Sequence, residues 1–203
     1  MAIIGEGVEE RAAEAVRGGA DFVQVRAKYL SGRGLLALTR SVIDRVGDPE
    51  RVIVNSRADV ARLAGAAGVH LPEHGLDPAD VRRAFPDLMI GASRHDRGGI
   101  ERAEREGVDY VLVGPVFATP GKEHVGAGAL SSLCAGLRVP VVVVGGMTRD
   151  SIPRLAGLGL AGVAAIRPFE HLETARTAAS DLVGSLSSWS GPVDEALSFK
   201  TPR

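Results

Sequence analysis

Residues 139–166, VPVVVVGGMTRDSIPRLAGLGLAGVAAI, contain one full unit of the pattern that decides the fold. An apolar run at 139–144 ends in Gly145 and Gly146, a helical pattern follows at 151–158, and a second apolar run begins after Gly159. Both runs are nearly continuous rather than alternating, which is typical of parallel strands covered on both faces. The stretch therefore predicts a strand, a crossover helix and a second, parallel strand.

The same alternation extends along the whole chain. The segments GGADFVQV (18–25), EGVDYVLV (106–113) and LGLAGVAAI (158–166) each join a helix-ending glycine to a strand. Eight strands are predicted, at 2–4, 22–26, 51–55, 68–71, 89–92, 110–113, 139–144 and 162–166. Eight helices are predicted to follow them, at 8–17, 35–46, 59–66, 78–85, 99–106, 130–137, 151–158 and 172–186.

Eight βα units predict an α/β protein with one domain, a compact (β/α)8 TIM barrel. The barrel is expected to cover residues 1–189, followed by a terminal tail at 190–203. A doubly wound open sheet is the alternative fold. That fold usually carries a glycine fingerprint after its first strand, and GEGVEE (5–10) matches it poorly.

Composition narrows the class of protein. With 45% hydrophobic and 24% charged residues and a net charge of -1, the chain has no electrostatic case for a nucleic-acid or anionic-membrane surface. The single Cys134 rules out an internal disulfide framework and fits a reducing compartment. No signal-like segment and no apolar run of bilayer-spanning length are visible. We therefore expect a cytoplasmic protein without nucleic-acid or membrane partners.

The site of a TIM barrel lies where its strands end, so the residues after each predicted strand are candidate ligands. These positions carry mainly cations, hydrogen-bond donors and glycines, whereas carboxylates are scarce. Such a set predicts an anionic ligand. The candidate binding residues are Gln24, Arg26, Lys28, Asn55, Arg57, Ser93, Thr119, Lys122, Gly145, Gly146, Ile166 and Arg167.

Several of these residues also have a purely structural interpretation. Gln24, Arg26 and Lys28 alternate, so they also fit inward-facing polar residues of a barrel layer. Gly145 and Gly146 fit a tight turn, although adjacent amides after the seventh strand of a barrel commonly bind phosphate.

His70, at the end of strand four, and Arg167, after strand eight, also have alternative interpretations. His70 is expected to be a hydrogen-bonded structural residue rather than a catalyst. His70 and His74 are four residues apart, but Pro72 argues against a shared helix face, so a zinc site is not predicted. Arg167 fits an ion pair with a helix carboxylate or a contact with phosphate, and we favour phosphate.

Seven segments, taken together, resemble the motifs of one enzyme superfamily. They are QVRAK (24–28), IVNSRADVA (53–61), AGVHLP (67–72), IGASRH (90–95), YVLVGPVFATPGK (110–122), VPVVVVGGM (139–147) and AGVAAI (161–166). Their order and spacing resemble those of thiamine-phosphate synthases and the related TenI-type thiazole tautomerases. The resemblance implies a phosphate-binding TIM barrel that holds thiazole phosphate or joins it to a pyrimidine diphosphate.

The synthase branch displaces pyrophosphate from a hydroxymethylpyrimidine and requires Mg²⁺, which prefers oxygen ligands. The resemblance places two aspartates of that branch at positions that hold Ser56 and Gly75 here, with Glu73 nearby but out of register. The residues that the family uses for the pyrimidine and its pyrophosphate are retained: Gln24, Arg26, Lys28, Asn55 and Ser93. We therefore predict no metal site and no cofactor, with Mg²⁺ needed only if the protein is a synthase.

The tautomerase branch moves a proton without metal and needs one general acid/base. Segments SRADVA (56–61) and LPEHGLDPADVRRAFPDLMIG (71–91) resemble this branch more closely. Its members place a histidine where this chain has Pro115, so His95 and His124 are the candidate catalytic residues. Where the family usually has a serine that contacts phosphate, this chain has Arg167, which can replace that contact with a charge-assisted one.

The main functional prediction is a metal-free, TenI-like thiazole tautomerase that binds thiazole phosphate. A thiamine-phosphate synthase with Mg²⁺ held by Glu73, substrate and water is the alternative. A non-catalytic ligand-binding or regulatory paralogue is the alternative from another class. The sequence leaves a homo-oligomer open.

Overall fold

The computed structural model describes residues 1–5, 7–121, 123–187 and 189. Its strands are β1 (Ala2–Ile4), β2 (Val23–Val25), β3 (Val52–Asn55), β4 (Gly68–Leu71), β5 (Met89–Arg94), β6 (Tyr110–Val113), β7 (Val141–Val144) and β8 (Gly162–Ala164). Its α-helices are α1 (Val8–Arg17), α2 (Gly32–Val46), α3 (Ala58–Ala64), α4 (Pro78–Ala84), α5 (Arg97–Arg105), α6 (Ala127–Cys134) and α7 (Leu172–Leu186). Short 3-10 helices occupy Pro49–Arg51, Ile152–Leu155 and Arg167–Phe169.

The eight strands form one parallel sheet in which each strand pairs with the next along the chain. The first and last strands then meet, because Ala2 bridges Ala165 in parallel. The Ile3 amide also donates to the Ala165 carbonyl at 2.9 Å. The sheet therefore closes on itself, and the predicted single-domain (β/α)8 barrel is confirmed.

Both faces of the sheet are buried. One set of side chains fills the barrel interior, namely Ile3, Ile53, Met89, Tyr110, Leu112, Val142 and Ala164. The alternate set, which includes Val23, Val25 and Val54, packs outward with the helices in a larger cluster. Since a strand covered on both faces is apolar at every position, continuous apolar runs located all eight strands to within a few residues.

Toward the carboxyl ends of the strands, polar residues replace apolar ones at the inward positions. Gln24, Asn55 and His70 are all buried there. Asn55 pairs with His70 in the β3–β4 register, and His70 pairs with Gly91 in the β4–β5 register. These neighbours form the polar floor of the barrel mouth.

One predicted helix is wrong. The pattern at 151–158 is not an α-helix but a single 3-10 segment, Ile152–Leu155. Pro153 lies in its first turn, and Gly157 adopts a φ of 77° soon after it, so the backbone leaves the helical region at once. The short connection still returns the chain to β8.

Two other helices are shifted relative to the prediction. α2 begins at Gly32, because the Ser31 hydroxyl accepts a hydrogen bond from the Gly34 amide at 3.2 Å and caps the helix. α6 spans Ala127–Cys134 rather than 130–137. The predicted tail at 190–203 lies outside the described residues. None of the described helices is long and apolar enough to cross a bilayer.

Candidate active site

A cavity of about 540 Å³ opens at the carboxyl ends of the strands. This position is the one that TIM barrels use for their sites. The lining residues come from all eight strands or the segments that follow them: Ile3, Gln24, Arg26, Lys28, Asn55, His70, Pro72, Glu73, Ser93, His95, Leu112, Gly114, Pro115, Thr119, Glu123, Val144, Gly145 and Ile166. We call it the mouth cavity.

The structure brings most of the predicted site residues together in the mouth cavity. Those that line it are Gln24, Arg26, Lys28, Asn55, Ser93, His95, Thr119, Gly145 and Ile166. Arg57, His124, Gly146 and Arg167 are not among its lining residues. Lys122 lies outside the described residues. The binding roles of all these residues remain predictions.

Arg57 is held away from the mouth by its own neighbour. Its guanidinium makes two hydrogen bonds to the Asp59 carboxylate, at 2.8 and 2.6 Å. It lines an adjoining cavity of about 370 Å³ that also contacts Lys28 and Asn55. Arg57 is therefore one partner of an exposed ion pair beside the mouth.

The β2 and β3 edge of the mouth carries two unusual polar groups. Gln24 is 1% exposed, and its Nε2 has no hydrogen-bond partner among the described residues. Asn55 Nδ2 donates to the Ser56 hydroxyl at 2.7 Å, and Ser56 itself adopts a φ of 67°. A buried unpaired donor and a left-handed non-glycine residue are both costly, and such features cluster at functional sites.

His70 connects the mouth to the barrel interior. Its Nε2 lies 2.9 Å from the hydroxyl of Ser93, which lines the mouth, and its Nδ1 lies 3.0 Å from the buried Tyr110 hydroxyl. Burial, together with the nearby Arg94 and Arg26 cations, lowers the pKa of His70 to about 3. His70 is therefore neutral near pH 7. The structure agrees with the prediction that His70 is a hydrogen-bonded structural residue.

Two carboxylates contribute to the mouth, Glu73 and Glu123. The prediction that carboxylates are scarce at the strand ends is too simple, because the loops after β4 and β6 fold them inward. His95 Nε2 lies 3.1 Å from Glu73 Oε2, within ion-pair range. The two groups are not oriented for a hydrogen bond, since the buried Glu73 Oε2 accepts none. Of the two histidines proposed as catalysts, His95 reaches the mouth, whereas His124 is exposed and does not line it.

The turn after β7 packs against the loop after β6. Gly145 has a φ of 97°, and a Cβ there would lie 2.4 Å from the Pro115 Cβ. Gly146 has a φ of 68°, and its Cβ would lie 2.6 Å from the Phe117 Cβ. Both positions therefore require glycine, as the tight-turn interpretation holds. The same conformation leaves Gly145 in the wall of the mouth, where the phosphate interpretation needs it.

Thr119 and the β8 edge complete the rim. The Thr119 hydroxyl donates to the Phe117 carbonyl at 3.2 Å, so its loop is partly self-supporting. Ile166 lines the mouth, while Arg167 begins the 3-10 helix Arg167–Phe169 and is exposed.

Sequence reasoning missed two residues that the structure places in this network. Tyr110 was assigned only to a strand, and Glu123 was not singled out. Alternation along β6 gives the direction of Tyr110, but its meeting with His70 depends on the pairing of β4, β5 and β6.

Metal-ligand clusters are absent from the part of the chain that the structure describes: no three His, Cys, Asp or Glu side chains are grouped to hold an ion. Ser56 and Gly75 stand where the resemblance expects carboxylates. Among the described residues, Glu73 Oε2 is a buried carboxylate oxygen in the mouth that accepts no hydrogen bond.

Known proteins match this chain over most of its length. The family model described as thiamine monophosphate synthase matches residues 2–169. The chain belongs to the thiamine-phosphate synthase family. A thiamine-phosphate synthase of Methanoculleus marisnigri is 40% identical over 158 residues, covering 75% of this chain and 75% of that protein. One of Chlorobium luteolum is 36% identical over 179 residues, covering 85% of this chain and 84% of the relative.

A solved structure also matches this chain over most of its length. The thiamine phosphate pyrophosphorylase from Pyrococcus furiosus superposes with a TM-score of 0.83 at 26% identity, covering 94% of this chain and 96% of that chain. Membership of the thiamine-phosphate synthase family places this protein in thiamine biosynthesis. These relatives are named for the synthase, so they favour that branch over the tautomerase branch predicted from segments 56–61 and 71–91. The tautomerase prediction is not confirmed by them.

Proposed function

We propose that the protein is a thiamine-phosphate synthase, which joins thiazole phosphate to hydroxymethylpyrimidine diphosphate and releases diphosphate. The observation that carries the proposal is the single mouth cavity with polar groups on both sides. Gln24, Arg26 and Asn55 line the β2–β3 side, and the glycine turn after β7 lies across the barrel from them. Two phosphorylated substrates need two anion-binding edges, and this cavity offers both.

The β2 edge is suited to the diphosphate. Arg26 and Lys28 are cations in the mouth wall, and both are exposed to the cavity side rather than buried. The unpaired Nε2 of Gln24 is a buried donor that costs about 1–3 kcal/mol while unsatisfied. An acceptor atom of the pyrimidine substrate would offset that cost.

The glycine turn and the β8 edge are suited to the thiazole phosphate. Backbone amides after the seventh strand of a barrel commonly bind phosphate, and Gly145 lies in the mouth wall. Ile166 lines the same side, and the exposed Arg167 follows it directly. We therefore assign Gly145, Gly146, Ile166 and Arg167 to this substrate.

In the coupling step, the thiazole ring nitrogen attacks the methylene carbon of the pyrimidine substrate. A carbon–nitrogen bond forms, the carbon–oxygen bond to diphosphate breaks, and diphosphate leaves with the electron pair, so no proton has to move. The chain must hold the reacting atoms in line and stabilise the charge that develops on diphosphate. Arg26 and Lys28 supply that stabilisation, and Ser93 lines the same cavity from β5 as a hydrogen-bonding group.

The mouth offers Mg²⁺ fewer carboxylate ligands than the two aspartates that the resemblance expects. Mg²⁺ at phosphate-transfer sites is often held by one or two carboxylates together with substrate phosphates and water. Glu73 provides one such carboxylate, with an oxygen that lacks a donor. When bound, Mg²⁺ neutralises charge on the leaving diphosphate.

A metal-free thiazole tautomerase is the second candidate, and one observation favours it. His95 and Glu73 form a close pair at the mouth, 3.1 Å apart, in a site that lacks the two expected aspartates. An imidazole next to a carboxylate is a suitable general acid/base.

The decisive experiment compares two assays on one preparation of the protein. Formation of thiamine phosphate from both substrates with Mg²⁺, abolished by EDTA, supports the synthase. Accelerated aromatisation of the thiazole tautomer in EDTA, lost in His95→Gln, supports the tautomerase instead. Substrate binding without turnover in either assay would contradict both enzyme functions and support the non-catalytic paralogue.

Variants of the mouth sharpen the comparison. Lys28→Ala removes a charge-assisted contact worth about 1.5–3 kcal/mol, so KM for the diphosphate substrate should rise about 10- to 100-fold. Glu73→Gln should raise the Mg²⁺ concentration needed for half-maximal activity about tenfold or more, because it removes the carboxylate charge proposed to hold the ion. Arg105→Ala is the matched control, since it removes an exposed cation at the end of α5, at the opposite end of the barrel. Equal effects of Lys28→Ala and Arg105→Ala would contradict the assigned diphosphate edge.

A further inference from the structure

Tyr110 reaches across the barrel interior to His70. Gly91 lies between them in the sheet, paired with His70 on one side and with Tyr110 on the other. A Cβ at Gly91 would lie 2.0 Å from the Tyr110 Cζ, so the phenol ring occupies the space that a side chain would fill. The rings of Tyr110 and His70 are stacked with centroids 5.7 Å apart. The missing side chain at Gly91 therefore creates the contact.

The contact is the inner end of a chain of hydrogen-bonding groups. The Tyr110 hydroxyl lies 3.0 Å from His70 Nδ1, and His70 Nε2 lies 2.9 Å from the Ser93 hydroxyl. Tyr110 and His70 are fully buried, whereas Ser93 is half-buried and lines the mouth. The chain of groups thus runs from the barrel interior to the site.

The protonation states allow two directions for these bonds, and the tautomer of His70 decides between them. Burial raises the pKa of Tyr110, so the phenol keeps its proton, and it lowers the pKa of His70 to about 3, so the imidazole is neutral. A neutral imidazole carries one N–H and one acceptor nitrogen. If the phenol donates to Nδ1, then Nε2 carries the proton and donates to the Ser93 oxygen. The Ser93 proton is then left to point into the mouth.

We propose that Tyr110 is a positioning residue: through His70 it fixes Ser93 as a hydrogen-bond donor toward an acceptor atom of the ligand in the mouth. The identity of that ligand rests on the proposed function, whereas the direction of the two hydrogen bonds at His70 does not. Tyr110 itself does not line the mouth cavity, so its effect on a ligand passes through His70 and Ser93.

The direction can be tested in the free protein. Long-range ¹H–¹⁵N spectra of histidine-labelled protein identify which ring nitrogen of His70 carries the proton. We expect the Nε2–H tautomer in the wild type and a changed tautomer ratio or ring-nitrogen shifts in Tyr110→Phe, which keeps the ring over Gly91. An Nδ1–H tautomer in the wild type, or identical His70 spectra in both proteins, would overturn the proposal.

The consequence for the site is tested by a double-variant cycle in the synthase assay. Tyr110→Phe and Ser93→Ala should each lower kcat/KM by about tenfold, in line with one lost directed hydrogen bond, and the double variant should be no worse than Ser93→Ala alone. If the kcat/KM losses of the two single variants multiply in the double variant, Tyr110 acts independently of Ser93, and the positioning role is refuted.

Thr39→Val is the matched control for a lost buried hydroxyl. Thr39 is fully buried in α2, and its hydroxyl donates to the Leu35 carbonyl at 2.7 Å, far from the mouth. It should change neither the His70 spectrum nor kcat/KM. If the wild type shows no synthase activity but carries the Nε2–H tautomer that Tyr110→Phe perturbs, the proposed function fails while the direction of the bonds stands.

Discussion

Replacing His70 with glutamine removes a group that makes the stability of the fold depend on pH. In the folded protein the pKa of His70 is lowered to about 3, chiefly by burial, from a usual value of 6.5. Between these two values the unfolded chain binds a proton that the folded chain does not. The contribution of His70 to the free energy of unfolding is therefore intact above about pH 6.5 and is lost progressively as the pH falls toward 3.

The size of the effect follows from the two pKa values. From pH 7 to pH 5, linkage gives a loss of about 2 kcal/mol for this one group. With a urea m-value of about 2–3 kcal/mol/M, the unfolding midpoint of the wild type should fall by about 0.7–1 M more than that of His70→Gln. The assay is equilibrium urea unfolding followed by circular dichroism at several pH values.

Comparing the wild type with His70→Gln isolates the contribution of His70 to the pH dependence of the free energy of unfolding. The buried amino group of Met1 also has a lowered pKa, about 6, mainly from burial, and it adds a slope of the same sign in this range. That slope is present in both proteins and cancels. The lowered carboxyl pKa values of Glu14 and Asp59 act at lower pH. Parallel pH profiles for wild type and His70→Gln would show that His70 is not buried in its neutral form, and the reasoning would be refuted.

Further predictions concern packing and helix ends. Gly91→Ala should destabilise the protein by about 3 kcal/mol or more, because its Cβ would overlap the Tyr110 ring, and urea unfolding measures the loss. Gly128→Ala is its control: it lies in α6 with open space around the added Cβ, so it should stabilise by about 0.5–1 kcal/mol, and a loss there would contradict the open space. Asp96→Ala should cost about 1 kcal/mol, since the carboxylate caps α5 by accepting from the Gly99 amide at 2.8 Å; an unchanged midpoint would mean that the cap is dispensable.

The barrel was predictable because its strands are buried on both faces. Val52–Asn55, Gly68–Leu71 and Tyr110–Val113 match the predicted runs closely, since continuous burial leaves a local and unambiguous pattern. The segment 151–158 shows the limit of the same method. Its apolar spacing is that of a helix, but Pro153 and the short connection allow only a 3-10 turn.

The predicted site was recovered as a list of positions but not as an arrangement. Residues directly after strands, such as Arg26 and Ser93, converge at the mouth because all carboxyl ends of a parallel barrel face one way. Arg57 also follows a strand, yet its pairing with Asp59 turns it aside. Glu73 enters the mouth through the course of its loop, which no local pattern specifies.

By itself, the sequence determined the barrel, the end of the barrel that carries the site, and the family, because each is encoded in local apolar runs and in ordered short motifs. Only the tertiary structure decided that His70, Tyr110 and Ser93 form one hydrogen-bonded series and that His95 meets Glu73. Those contacts join residues from different strands and loops. They exist because the closed sheet fixes its register and leaves Gly91 without a side chain between two rings.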